Sequence, residues 1–511
     1  MSRALLSVYD KTGLVQFARG LVDVGFELVA SGGTASALED AGLAVTRVED
    51  VTGFPEMLGG RVKTLHPRIH AAILARRDVA EDLGALEDLG IEPLDLVCVN
   101  LYPFARVAAQ LNAADAEVVE MIDIGGPAML RAAAKSHVSV TTVCRPEDYD
   151  DVLVELRSGG TTSVELRRRL AATAFATTAA YEAGIASWFQ RDEQFPAAIS
   201  LAFDRKLYLA YGENPHQQAA YYAERGRRTH LLSRVEQLRG KPLSFNNLND
   251  LSAARLLVRE FELPACVIVK HANPCGVAVA HTIEEAYGRA LAADPVSAYG
   301  GVVVLNRAVS AALGEALAEQ FIEVLFAPGY DEQAMEALAR KTSVRVLNDT
   351  ERRALVETEP DYRRVLGGLL VQDRDWGIAE KGGTEIMCGE VSDEQWDDLL
   401  FAWRVVKHVT SNAIVLAKDG QTIGIGAGQM SRVDAVRIAL EKARELGHEL
   451  EGAVLASDAF FPFADGPQLA LDAGVAALIQ PGGSKRDGEV IEAVSAAGAA
   501  MVFTNRRHFR H

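Results

Sequence analysis

What the chain lacks narrows it first. No run approaches the ~18 apolar residues that a membrane span needs. Met1-Ser2-Arg3 leads directly into a short apolar strand, with no signal-peptide apolar region or cleavage pattern. Cysteine is scarce: Cys98, Cys144, Cys266, Cys275 and Cys388 are odd in number and scattered. They read as reduced thiols of a cytoplasmic protein rather than a disulfide framework. Basic charge is in deficit, and a net charge of -18 argues against nonspecific nucleic-acid binding. Also absent are HExxH, a Gly-x-Ser-x-Gly elbow, the Gly-Lys-Ser/Thr end of a Walker loop and any low-complexity tract. Pro274-Cys275 invites comparison with zinc deaminases, but their second cysteine would fall at Ala278. No metal is expected.

What is present is the composition of an ordinary globular protein, 49% hydrophobic and 24% charged, and 511 residues allow roughly two to four domains. Strand-like segments at 4–8, 26–30, 94–100 and 138–143 alternate with helical spacing such as 14–21, which predicts a parallel wound sheet. A long Ala- and Arg-rich helix at 164–189 closes this section, and 190–196 reads as a boundary. From 200 the chain is again α/β. One set of strands lies at 267–269 and 301–304, another at 413–416, 423–426 and 453–455, suggesting two related subdomains.

Against the acidic background the basic clusters stand out: Arg61 with Lys63, Arg131 with Lys135, Lys485 with Arg486, and the tail 506–511. Each is a candidate for an anionic small molecule. Ser31-Gly32-Gly33-Thr34 joins a strand to a helix, where free N–H groups and hydroxyls suit a phosphate. Arg61, Lys63, Thr64 and His66 follow the Gly59-Gly60 pair and offer both phosphate contacts and an amine for proton transfer. Asp123-Ile124-Gly125-Gly126 opens a helix, and Asn100 to Phe104 ends a strand. With Lys63, these predict a pocket of Lys, Tyr, Asp and Asn suited to acid/base work on a polar heterocycle precursor. Further on, the buried strand at 267–269 ends in Lys270-His271, with a turn expected at Asn273-Pro274 and Gly276. A Lys beside a His at a strand mouth can stabilise an oxyanion while the His moves a proton. Gly424, Gly426 and Gly428 mimic a dinucleotide fingerprint, but Glu441 falls mid-helix and NAD is discounted. Phe460, Phe461 and Phe463 with Asp458 and Asp465 suit a flat aromatic ligand.

Taken in order from Leu5 to His511, these motifs resemble the bifunctional purine-biosynthesis family of AICAR transformylase/IMP cyclohydrolase. The markers include Asp10-Lys11-Thr12-Gly13, Gly53-Phe54-Pro55-Glu56-Met57 through Pro67, Arg131 to Lys135, Tyr211 to Gln217, Lys270 to Gly276, Asp294 to Gly301, Ser411-Asn412 and Ile423 to Arg432. The resemblance implies a methylglyoxal-synthase-like wound parallel sheet at 1–195. It implies a cytidine-deaminase-like transformylase part at 200–511, in two subdomains near 200–370 and 371–511, without the deaminase zinc. It implies formyl transfer from 10-formyltetrahydrofolate to AICAR, then closure of FAICAR to IMP, by a homodimer.

In the transformylase, His271 would accept the proton, and Lys270 with Asn412 would stabilise the oxyanion. By resemblance Tyr211, Gly300, Glu323, Asn412 and Arg432 would hold AICAR, with Asp458 and Arg507 toward the folate. In the cyclohydrolase, Lys135 would shuttle the proton while Lys63, Tyr102 and Asp123 polarise the reacting groups. Asp10, Lys11, Ser31, Gly32, Gly33, Thr34, Arg61, Lys63 and Thr64 would hold phosphate and ribose, and Asn100 and Ile124 the base. Three positions depart from the family pattern. Ala210 stands where Arg is expected, a loss of about 1.5–3 kcal/mol of binding if a charged hydrogen bond goes with it. Arg205 and Lys206 are candidates to replace it. Tyr9 replaces Ser, and Ser136 replaces Asn. Ala210 alone favours the alternative of a cyclohydrolase whose C-terminal part only binds or dimerises; intact Lys270, His271 and Asn412 oppose it.

Overall fold

The computed structural model describes residues 2–55, 57–110, 112–225, 232, 235–350 and 359–511. Glu56, within one family marker, lies outside the described residues. The chain divides into two compact units, Met1–Asp204 with Glu224–Arg228 and Arg205–Ala223 with Thr229–His511. No helix among the described residues is long and apolar enough to cross a membrane.

The first unit holds β1 (Ser2–Val8), β2 (Phe26–Ala30), β3 (Thr46–Arg47), β4 (Leu96–Asn100) and β5 (Thr141–Val143). They form one sheet in the order β3-β2-β1-β4-β5, every pair parallel. Parallel neighbours need crossover connections, which bury both faces and explain why these strands read as unbroken apolar runs. Ala4, Leu6 and Val8 enter one core, while Leu5, Val29 and Val97 enter the other. The strand expected at 138–143 starts only at Thr141, because the chain is still turning after the helix Gly125–Lys135. The helix Val164–Phe189 is capped by Ser163, whose hydroxyl accepts the Leu166 N–H at 3.1 Å. Strand order reverses beside β1, so the segments leaving β1, β2 and β4 part and frame a crevice at their carboxyl ends, where α/β ligands bind.

The remaining strands are β6 (Phe203–Leu209), β7 (Ala219–Glu224), β8 (Glu236–Arg239), β9 (Ala265–Lys270), β10 (Asn273–Val279), β11 (Gly301–Leu305), β12 (Ile322–Ala327), β13 (Arg345–Asn348), β14 (Pro360–Val365), β15 (Gly368–Asp373), β16 (Glu385–Cys388), β17 (Ile414–Lys418), β18 (Gln421–Gly426), β19 (Val454–Ser457), β20 (Ala477–Gln480) and β21 (Ala500–Phe503). Pairs β6-β7 and β14-β15 are two-stranded ribbons, and twelve strands form one mixed sheet. Read outward from its central seam, that sheet repeats one order: β10-β9-β11-β12-β13-β8 on one side, β18-β17-β19-β20-β21-β16 on the other. Within each half the same two pairs are parallel, β11-β12 and β12-β13 against β19-β20 and β20-β21.

The repeat extends to side chains. The spacing of Ser244, Asp250, Lys270 and Gly276 recurs unchanged in Ser392, Asp398, Lys418 and Gly424. Ser244 and Ser392 each cap a 14-residue helix, Phe245–Val258 and Asp393–Val406, through a capping box. A Cβ on Gly276 or Gly424 would collide with a carbonyl of the overlying helix, Ala290 or Ala439. Gly426 is likewise filled by the Ala435 carbonyl, so these glycines serve helix-on-sheet packing rather than a nucleotide. The two capped helices share one core on one face of the sheet, with Trp403 fully buried, and two further cores lie on the other face.

One expectation is corrected here. The turn after β9 is not at Asn273-Pro274: those residues already belong to β10, and Lys270 pairs directly with Asn273. The turn is His271-Ala272, both with positive φ, +52° and +58°. Pro274 is tolerated because the register shifts between it and Gly276.

Candidate active sites

In the first unit the crevice is a cavity of about 680 Å³ lined by Lys11, Ser31, Gly32, Gly33, Thr34, Arg61, Lys63, Thr64, Asn100, Tyr102, Asp123 and Ile124, among others. Two helix N-termini border it. Gly32–Asp40 has no side-chain cap, which leaves its first N–H groups for an anion. A Cβ on Gly32 would lie 3.2 Å from Lys63 Nζ and one on Gly33 3.9 Å from Lys11 Nζ, so both ammonium groups stand over that terminus. Lys63 Nζ also pairs with Glu49 at 2.8 Å. Burial pushes the Glu49 carboxyl up, but the bond from Lys63 helps to outweigh it and leaves the group below its ordinary value. Arg61 is tied to Glu120 at the exposed rim.

The other terminus begins Gly125–Lys135. Asp123 Oδ1 accepts the Gly126 N–H at 2.8 Å, and the Asp123 N–H donates to Tyr181 Oη at 2.8 Å. Burial pushes the Asp123 carboxyl up, and the N–H groups of Gly126 and Tyr102 only partly oppose it. Burial also raises the Tyr102 phenol, reinforced by the charge of Asp123. A Cβ on Gly125 would collide with the Thr64 hydroxyl, and one on Gly126 with the Asp123 carboxylate.

Some expected contacts are spent on the protein itself. Thr34 Oγ1 accepts the Val8 N–H at 2.9 Å and donates to the Val8 carbonyl at 3.1 Å, so it builds the wall. The Asn100 side chain shapes the loop after β1, accepting from Tyr9 and Asp10 N–H at 2.6 and 3.0 Å and donating to the Asp10 carbonyl at 2.8 Å. Asp10 does not line the cavity; its carboxylate accepts from the Thr12 hydroxyl and N–H, which hold it below its ordinary value. Lys135 is exposed at the far end of its helix, about 15 Å along the axis from Gly125. This chain does not bring it into the cavity.

In the second unit Lys270 Nζ donates to the carbonyls of Tyr299 and Gly300 at 2.7 and 3.1 Å. Gly300 has φ +68°, and a Cβ there would lie 3.2 Å from Nζ, so glycine admits the ammonium. Glu323, on β12, accepts from Asn247 Nδ2 at 2.8 Å. Asp250 Oδ1 accepts the Ala272 N–H at 2.7 Å; burial pushes this carboxyl up, and the Ala272 and His271 N–H groups with the His271 charge oppose it. Lys270 and His271 open on a cavity of about 240 Å³ that also meets Cys275, Asp294 and Lys442.

Asn412, Arg432 and Asp458 form a separate knot. Arg432 pairs with Asp458, donates to Ser457 Oγ at 2.8 Å, and donates to Asn412 Oδ1 at 2.7 Å. Asn412 Nδ2 donates to the Gln429 and Met430 carbonyls at 2.8 and 3.2 Å. Asp458 is 0% exposed and also takes Ser411 Oγ and the Ala413 N–H. The Asp458 carboxylate, expected toward the folate, is buried in this chain and anchors Arg432. Phe461 is core, while Phe460 and Phe463 stay exposed, Phe463 under the Arg486 guanidinium at 4.9 Å. Arg507 is exposed and stacks over Phe509 at 4.3 Å. Tyr211 is half-buried beside exposed Ala210, held by its carbonyl to the Phe245 N–H at 3.1 Å.

The model of the AICARFT/IMPCHase bienzyme family matches residues 133–442, and that of the MGS-like domain matches 13–128. The bifunctional purine biosynthesis protein PurH of Persephonella marina is 50% identical over 517 residues, covering 100% of this chain and 99% of that protein. PurH of Shouchella clausii is 49% identical over 513 residues with the same coverage, and PurH of Roseobacter denitrificans 50% identical over 524. The chain belongs to the AICARFT/IMPCHase bienzyme family. It is a bifunctional enzyme, an AICAR transformylase and IMP cyclohydrolase of purine biosynthesis. A solved structure titled "Crystal structure of ForH" aligns with 37% of this chain and 98% of its own at 42% identity and a TM-score of 0.34.

Several residues that bond to the candidate site groups carried no signal in the sequence. Glu49 and Glu120 meet Lys63 and Arg61 only through the fold. Tyr181, midway along a helix that reads as Ala- and Arg-rich, turns out to orient Asp123. Asp250 precedes the turn it clamps by about twenty residues; its counterpart Asp398 was findable, because the Ser-to-Asp-to-Lys spacing recurs in the sequence.

Proposed function

We propose that the first-unit cavity closes FAICAR to IMP and that the Lys270-His271 turn of the second unit transfers formyl from 10-formyltetrahydrofolate to AICAR. The observation that carries the first assignment is the convergence of two helix N-termini with Lys11 and Lys63, which suits a phosphate monoester, beside a half-buried Asp123 and an exposed Tyr102, which suit a heterocycle. Within the cavity the carboxamide nitrogen attacks the formyl carbon of the same molecule, and confinement supplies much of the rate. Lys63, Tyr102 and Asp123 polarise the reacting groups there. The Asp123 carboxyl, pushed above its ordinary range by burial, is a better proton acceptor than a free aspartate. Lys135 keeps the role of proton shuttle on the family resemblance alone.

At the second site the AICAR amine is a weak nucleophile, conjugated with its ring, and gains from a base at the moment of attack. His271 accepts that proton, and the Lys270 ammonium faces the oxyanion that forms on the formyl carbon. Asn412 and Arg432, bound to each other, act as a unit on the substrate side. A cytoplasmic homodimer is the state we assign. Incubation of the purified protein with AICAR and 10-formyltetrahydrofolate tests the reading: tetrahydrofolate and IMP both accumulate. Conversion of added FAICAR alone would leave only the cyclohydrolase and refute the second assignment.

A further inference from the structure

We propose that Asp250 is a positioning residue for formyl transfer: its carboxylate holds the His271-Ala272 turn in the shape that sets the imidazole beside Lys270. The inference rests on the reading of His271 as proton acceptor. Its basis is the internal repeat. In the second copy the β17–β18 turn is Asp419-Gly420, φ +53° and +69°, and Asp398 accepts both of its N–H groups at 2.8 and 2.6 Å. Asp-Gly is the ordinary sequence for a two-residue turn with both φ positive. There the Lys418 ammonium donates to the Glu451 carbonyl at 2.9 Å, and Gly452 has φ +75°, as Lys270 donates to Tyr299 and Gly300 has φ +68°. The second copy thus shows what this frame requires as structure alone.

The first copy keeps the frame and changes the turn. His271 and Ala272 adopt the same left-handed conformations with no glycine to relieve them. Among the described residues the His271 imidazole makes no side-chain hydrogen bond of its own, so its direction is inherited from its backbone. That backbone is fixed from both sides. Asp250 takes the Ala272 N–H, while Asn273 donates to the His271 carbonyl at 3.3 Å and accepts the Thr410 N–H at 2.8 Å. With the glycine gone, the turn depends on these bonds, the carboxylate's being the shortest of those it makes, and a proton acceptor displaced by about 1 Å loses on the order of 100-fold in rate.

The test compares Asp250→Asn, Asp398→Asn, Ala272→Gly and the Asp250→Asn/Ala272→Gly double variant, each assayed for tetrahydrofolate release and for closure of added FAICAR. Asn keeps one acceptor and sets an amide donor against the other N–H. Asp250→Asn is expected to lower transformylase kcat about 100-fold, with KM for AICAR and FAICAR closure little changed. The double variant is expected to regain at least about tenfold, because glycine holds positive φ unaided. Asp398→Asn is expected to leave transfer within about twofold, since no reacting group stands on its turn. Unchanged kcat in Asp250→Asn, an equal fall in Asp398→Asn, or a fall that glycine does not relieve would overturn the proposal. Should Asp250→Asn fail to fold, Asp250→Glu, which keeps the charge on a longer arm, is read by the same outcomes. His271→Ala separates the two levels: full transfer by that variant removes the reading beneath, whereas an inactive His271→Ala beside an unimpaired Asp250→Asn removes only this inference.

Discussion

Gly300→Ala puts the Lys270 assignment under direct strain. The residue sits at φ +68°, where an alanine costs about 1–2 kcal/mol in backbone energy. Its Cβ would stand 2.9 Å from Phe321 Cε1 and 3.2 Å from Lys270 Nζ. Phe321 is 41% exposed and can swing aside. The ammonium cannot move freely, because its two acceptors are the carbonyls of Tyr299 and of the substituted residue itself. A displacement of about 1 Å at the oxyanion site corresponds to roughly 100-fold in rate, or about 2.7 kcal/mol of barrier. Gly452→Ala is the matched control: φ is +75° and no atom lies within 4 Å of its Cβ, so the backbone cost is the same and the steric cost absent. Tetrahydrofolate release at saturating AICAR is expected to fall about 100-fold in Gly300→Ala and to hold within about twofold in Gly452→Ala, with FAICAR closure steady in both. Equal transfer by the two variants would refute the reasoning, because Gly300→Ala crowds Lys270 and the yielding Phe321 ring while Gly452→Ala crowds nothing.

Three further outcomes follow from the same geometry. Glu49→Gln removes the charge from one partner of Lys63 and is expected to slow FAICAR closure at least about tenfold while formyl transfer continues, measured by single-substrate assays of each step. Gly126→Ala pushes a methyl into the Asp123 carboxylate and breaks its N–H bond; closure is expected to fall about 100-fold, and unaltered closure would show that Asp123 is not held where the chemistry is. Glu260, half-enclosed with Lys407 and His408, is raised by burial but brought down to about 2 by those partners. A depressed carboxylate stabilises above its unfolded value near 4.5 and loses that contribution as pH falls toward 2, here about 3 kcal/mol. Burial depresses His408 below its ordinary 6.5, so its contribution also fades on acidification. Chemical-denaturation midpoints are expected to drop between pH 6 and pH 3, and to drop less in Glu260→Gln.

How far the sequence reached can be seen residue by residue. Long periodic or fully apolar segments were legible: the helix Val164–Phe189 and strands β1, β2, β4 and β9 lie close to where their patterns place them, because burial on both faces imposes the pattern. β10 was not legible. Asn273-Pro274-Cys275-Gly276 has the composition of a turn, and only pairing with β9 and the register shift make it a strand. Lys11, Ser31 to Thr34, Lys63, Tyr102 and Asp123 were legible as one cluster because they follow strand ends in a wound sheet, which the fold gathers by topology. The surroundings of Asp458 were not legible, for the opposite reason. A carboxylate beside aromatic residues looks like a ligand contact in sequence, whereas its pairing with Arg432 emerges only in three dimensions. At Gly424 and Gly426 spacing alone was silent, since glycines that let a helix approach a sheet look like glycines that admit a phosphate; the missing acidic residue is what discounted the nucleotide.

The central claim is that one chain carries two separable chemistries, each with its own lysine. The most direct measurement assays Lys270→Ala and Lys63→Ala in parallel, following tetrahydrofolate release from AICAR and 10-formyltetrahydrofolate and IMP formation from added FAICAR. The account predicts that Lys270→Ala stops tetrahydrofolate release and still closes FAICAR, and that Lys63→Ala does the reverse. Loss of both reactions in either folded variant, or of neither, would contradict it.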